Sequence, residues 1–93
     1  MAVAASCFGE GNTPRGNYYD VTASGVGDIP GICGGLWDNL KRFGACADPT
    51  NTYCGGANGN LEWYFTAVAG CDAGDVESAW WEATNNKYGA ITC

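Results

Sequence analysis

Two stretches of the chain alternate. In residues 17–23, Tyr19, Val21 and Ala23 fall on one side and Tyr18, Asp20 and Thr22 on the other. In residues 61–68, Leu61, Trp63, Phe65 and Ala67 alternate with Glu62, Tyr64, Thr66 and Val68. A period of two is that of a strand with one covered face, so both stretches are expected to be strands. After each, the period changes. Ile29, Ile32, Cys33, Leu36, Trp37, Leu40 and Phe43 recur at helical spacing and form one apolar stripe. Asp28 is placed to cap that helix, Pro30 sits in its first turn where a missing N–H costs little, and Gly44 should end it. Val76, Ala79, Trp80 and Ala83 form a second stripe. There Asp72 is the cap, Asp75 stands where the partner of a capping box belongs, and Gly89 is the expected stop.

The remaining segments are shorter. Residues 1–16, with turn formers concentrated in 8–16, read as an N-terminal arm, leaving 17–93 as a single domain. Residues 52–54 read as a short strand, 55–60 as a turn and 90–93 as a closing strand. Each half is then a strand, an aspartate-capped helix and a short strand. Two βαβ units in so short a chain imply an α+β fold, a ferredoxin-like split βαβ sandwich with both helices on one face of a small antiparallel sheet.

Length and cysteine content sharpen this picture. A chain of 93 residues is one domain with a marginal core. Its six cysteines are an even number at high density, which reads as a disulfide framework made in an oxidising, extracellular compartment. Cys-x-x-Cys pairs and histidine are both absent, so the usual zinc spacings are missing, and neither metal nor cofactor is expected. Six cysteines allow fifteen pairings, which the expected topology narrows. In the strand order 4-1-3-2, Cys33 and Cys54 lie at one end of the sheet and Cys7, Cys46, Cys71 and Cys93 at the other. Cys46 and Cys93 flank opposite edges, beyond the roughly 7 Å that a bridge spans. The expected bridges are Cys33–Cys54, Cys46–Cys71 and Cys7–Cys93.

Charge removes some partners. Ten acids against four bases give a net charge of −6, which repels phosphate backbones and anionic lipid heads. Nucleic acid is therefore not an expected partner. No apolar run approaches the length of a membrane span, so stable membrane insertion is not expected either. Met1 is followed only by Ala2, Val3, Ala4 and Ala5, and the sequence reads as a mature chain.

Candidate chemistry is sparse. Without histidine, Ser–His and Cys–His nucleophilic machinery is excluded, and the chain is not expected to be an enzyme. Asp20 and Glu62 are the acids that neighbouring strands could bring face to face for carboxylate-pair hydrolysis. The simpler reading makes both solvated residues of an exposed sheet face. The aromatic excess says more: four Trp, five Tyr and three Phe. Trp37, Trp63, Phe65 and Trp80 fit the core stripes, whereas Tyr18, Tyr64 and Trp81 fall off them. Tyr18 and Tyr64 should share the sheet face that the helices leave uncovered, beside Asp20 and Glu62. Exposed aromatics next to polar groups anchor protein partners or sugar rings. The competing expectation is that the N-terminal arm folds over this face and buries them.

The run Thr66 to Cys71 at the end of a strand, the paired Trp80 and Trp81 on the following helix and the terminal Cys93 resemble the second half of the killer-protein-six family. This is a family of smut-fungus viral toxins, and secreted cysteine-rich effectors of plant-pathogenic fungi look like it. The resemblance implies a secreted fungal protein without catalytic residues. It would be a virulence effector in the apoplast or a killer toxin acting on competing cells. The acidity of this chain favours the effector over a membrane-directed toxin. The implied partner is an extracellular host or competitor protein, or a cell-wall glycan. A second reading makes the chain a small extracellular carbohydrate-binding module that uses Tyr18, Tyr64 and Trp81.

Overall fold

The computed structural model describes residues 5–13 and 16–93. Its elements are β1 (Ala5–Thr13), β2 (Gly16–Ala23), α1 (Ile29–Leu40), a 3-10 turn (Gly44–Cys46), β3 (Thr50–Ala57), β4 (Asn60–Ala67) and α2 (Ala73–Thr84). The four strands make one sheet in the order β1-β2-β4-β3, and every neighbouring pair is antiparallel. The protein is therefore a small α+β domain with two helices and three disulfides.

The two alternating stretches are the central strands, in register with Tyr19 opposite Phe65 and Val21 opposite Trp63. Their inward residues meet Leu36, Leu40, Val76, Ala79 and Trp80 of the helices in one core. Trp63, Trp80, Phe65 and Leu36 are fully buried within it. The helices touch each other where Gly35 lies against Ala83, at an ordinary contact distance of 3.5 Å from the position a Cβ would take.

Helix starts follow the capping expectation. Asp28 accepts from the Gly31 N–H at 3.3 Å. Asp72 accepts from the Asp75 N–H at 3.0 Å, and the Asp75 carboxylate takes the Asp72 N–H at 3.4 Å. Helix ends differ from expectation. α1 stops at Leu40 rather than near Gly44, and Phe43 packs on the core from beyond the helix. α2 stops at Thr84 with Asn85 in the left-handed conformation, so asparagine replaces the expected Gly89 as the stop.

Larger corrections concern the two ends of the chain. Residues 5–13 are not an arm outside the domain but the edge strand of its sheet, paired with β2 from Ala5–Ala23 to Thr13–Gly16. Residues 90–93 are not a strand. The order β-β-α-β-β-α replaces the expected βαββαβ, and the N-terminal strand fills the edge meant for the C-terminal one. A hairpin partner a few residues away closes a far smaller loop than a strand some 70 residues downstream, which favours the local pairing. Residues 1–4 and 14–15 of the expected arm lie outside the described residues.

The C-terminal segment is nevertheless held. Ile91 is buried, Gly89 O accepts from Trp80 Nε1 at 2.9 Å, and the Cys93 N–H donates to Glu77 at 3.0 Å. The bridges are Cys7–Cys93, Cys33–Cys54 and Cys46–Cys71, with Cα separations of 4.9, 5.7 and 5.0 Å. They are the pairs that the topological argument selects. Cys7 meets Cys93 because the tail runs beside the inner side of β1, where Cys93 O lies 3.2 Å from the Cβ position of Gly9.

Candidate functional site

The site is built from the strand residues that point away from the helices. Cross-strand register arranges them in rows. Phe8, Asp20, Tyr64 and Tyr53 stand opposite one another on β1, β2, β4 and β3. Ser6, Thr22, Glu62 and Gly55 form the next row, and Glu10, Tyr18, Thr66 and Thr50 the row on the other side. The sheet extends sideways at β1 rather than being covered by it. Phe8 is 60 % exposed and Tyr53 42 % exposed, while Tyr18, Asp20, Glu62 and Tyr64 are half-buried among one another.

The rings form a connected group. Tyr53 stacks on Tyr64 with centroids 5.3 Å apart and planes 22° apart, and Tyr18 tilts against Tyr64 at 6.3 Å. Gly55 makes room for this: the Tyr53 hydroxyl lies 3.0 Å from where a Cβ at position 55 would stand.

The carboxylates form a second group within the first. Asp20 and Glu62 are diagonal neighbours across β2 and β4. Glu62 holds its proton above the ordinary glutamate range, chiefly because its protonated form hydrogen-bonds to Asp20, then through loss of water and through repulsion by the Asp20 charge. Asp20 Oδ1 is buried and has no hydrogen-bond partner among the described residues. The Tyr18 hydroxyl is also pushed up, first by loss of water and then by the charges of Asp20 and Glu62.

The structure thus brings together Tyr18, Tyr64, Asp20 and Glu62, but not Trp81. Trp81 lies on α2, 47 % exposed, beside a shallow hollow of about 420 Å³ lined by Gly74, Glu77, Ser78, Ala90 and Ile91. It belongs to the helical side of the molecule and cannot act with the tyrosines on one ligand. Tyr53 and Phe8 are the members that the sequence reading missed. For Tyr53 a signal existed: Cys54 must face inward to reach Cys33, so its neighbour must face outward.

Two further features are separate from this face. A hollow of about 300 Å³ lies between α1 and β3, lined by Trp37, Leu40, Lys41, Cys46, Ala47, Pro49 and Thr52. Trp37, expected in the core, forms part of its wall and is only half-buried. Cys46, Cys71 and Asp75 place sulfur and oxygen atoms within 4.8 Å of one another. The two sulfurs are bonded to each other, so they offer no thiolate to a metal.

Fold and face together define a small disulfide-stapled α+β domain with an aromatic and acidic sheet surface. Compared with protein-family models, with curated proteins and with solved structures, the chain finds no match. The resemblance to the killer-protein-six family therefore rests on the sequence residues alone.

Proposed function

We propose that the chain is an extracellular, non-catalytic binding protein and that the uncovered sheet face is its recognition surface. The observation that supports this most is the row of Phe8, Asp20, Tyr64 and Tyr53. Clustered tyrosines supply large contact area at low conformational cost, and an acid among them supplies orientation. Three disulfides, and no helix among the described residues long and apolar enough to cross a membrane, are compatible with an extracellular setting. On the sequence resemblance, the biological role proposed is that of a secreted fungal effector or killer-toxin-like protein acting on a host or competitor target. The proposed descent of the fold is a split βαβ sandwich whose edge strand has moved to the N-terminus.

The target proposed is protein rather than sugar. Tyr53 and Tyr64 cover one face of each other's ring, which leaves less flat surface for a sugar to stack upon. Fluorescently labelled protein applied to intact host and competitor cells tests the reading. Surface retention should be lost with Tyr53→Leu/Tyr64→Leu and after protease treatment of the cells. Protease-resistant retention on chitin or glucan, lost with Tyr64→Ala, would instead make the chain a carbohydrate-binding module. Glycan hydrolysis abolished by Glu62→Gln would overturn the non-catalytic assignment.

A further inference from the structure

The face carries acidic charge that no ion pair among the described residues compensates. Asp20 and Glu62 lie at its centre and Glu10 at its margin. Among the described residues the one ion pair is Lys41–Asp38, at 3.4 Å on exposed α1 positions. The one cation over a ring among the described residues is Lys87, 5.8 Å from the Tyr88 centroid. No described lysine or arginine therefore neutralises the Asp20–Glu62 pair. Asp20 Oδ1 is buried and has no hydrogen-bond donor among the described residues.

Aromatic rings surround the pair. Tyr64 stands opposite Asp20, Tyr18 flanks Asp20 along β2, and Tyr53 stacks on Tyr64 with its hydroxyl toward Gly55, the residue opposite Glu62. Ring faces attract cations within about 6 Å of the centroid, and more strongly where water is partly excluded. Carboxylates and π faces converging on one spot suit an ammonium or guanidinium group far better than a neutral or anionic one.

We infer that this face receives a lysine or arginine side chain from a basic peptide segment, its cationic head lying against Asp20 and Glu62 and its stem along the Tyr18, Tyr64 and Tyr53 rings. The inference rests on the reading of this face as the recognition surface and adds the chemistry of the partner. The face is open, and the hollows beside Trp37 and Trp81 lie elsewhere. A free small cation would be poorly enclosed there, whereas a side chain presented by a larger partner needs no enclosure. The net charge of −6 steers such a partner inward from a distance.

The test must separate the face from the overall field. Hexalysine amide and hexaarginine amide are titrated by calorimetry and NMR into the oxidised protein, with hexaglutamine amide as the uncharged control. Saturable binding should shift the resonances of Tyr18, Tyr53, Tyr64 and their strand neighbours. Asp20→Asn/Glu62→Gln should weaken it about tenfold or more, as loss of a charge-assisted contact does. Tyr64→Leu, which keeps bulk and net charge but removes the π face, should weaken it by about threefold to tenfold. Asp48→Asn/Glu82→Gln changes net charge equally at exposed sites away from the face and should change affinity less than twofold. Equal losses in both double variants would reduce the effect to the overall field and overturn the inference, as would no saturable binding. If the peptides fail while cell-surface retention still depends on Tyr53 and Tyr64, the recognition face stands and only its cationic partner falls.

Discussion

Glu62 lies diagonally across the β2–β4 pair from Asp20, and a hydrogen bond from its protonated carboxyl to Asp20 holds the Glu62 proton above the ordinary glutamate range. The arrangement has a definite pH signature. The folded protein holds the Glu62 proton more tightly than the unfolded chain, so the stabilisation is fully present below the unfolded glutamate range. It is lost as pH rises through the higher folded value. In Glu62→Gln the amide donates to Asp20 at every pH. The melting temperature of this variant, relative to wild type, should rise as pH is raised from about 4 to 7. Thermal denaturation across that range checks this, and a constant difference would refute the tighter hold on the Glu62 proton.

The Cys7–Cys93 bridge joins residues 86 positions apart and ties β1 to the tail. Cross-linking so long a loop removes much unfolded-state entropy, worth roughly 4 kcal/mol. Cys7→Ala/Cys93→Ala should lose stability of that order in denaturant unfolding. Amide exchange should accelerate first in β1 and the tail, while β2 and β4 stay protected.

Gly56 sits at φ 150° beside the Asn58–Gly59 turn, both of whose residues have positive φ. That pair of turn residues is the preferred two-residue hairpin connection. A Cβ at position 56 would run into the Asn60 carbonyl oxygen, which is backbone and cannot step aside. Gly56→Ala is expected to cost about 2 kcal/mol or more, read from the urea midpoint. Gly34→Ala, where a Cβ meets open space in a helix, should stabilise by up to about 1 kcal/mol.

Trp63 and Trp80 are both fully buried, but only Trp80 finds a partner for its indole N–H. Replacing each by phenylalanine removes similar volume. Trp80→Phe also leaves the Gly89 carbonyl without its donor, whereas Trp63→Phe relieves an unmet one. Trp80→Phe should therefore be the more destabilising by about 1–2 kcal/mol in paired denaturant melts.

Much of this organisation is legible in local pattern. Strand alternation around Val21 and Trp63, the helical stripes and the aspartate caps at 28 and 72 depend on neighbours within a few residues, and the folded chain keeps them. The aromatic face is half legible: alternation alone turns Tyr18, Asp20, Glu62 and Tyr64 outward together.

What sequence by itself determined is which residues of the central strands and helices turn to the interior, because period is a local property. Tertiary structure alone decided which segment fills the sheet edge. Residues 5–13 contain Gly9 and Gly11 and carry little strand signal, yet they win that edge because a hairpin with β2 closes a short loop. It also decided that Tyr53 joins the tyrosines, that Asp20 and Glu62 lie diagonally across one strand pair, and that Trp81 stands apart on the helical side. Those relationships depend on cross-strand register and on which face a helix covers, and both are set only when distant parts of the chain pack together.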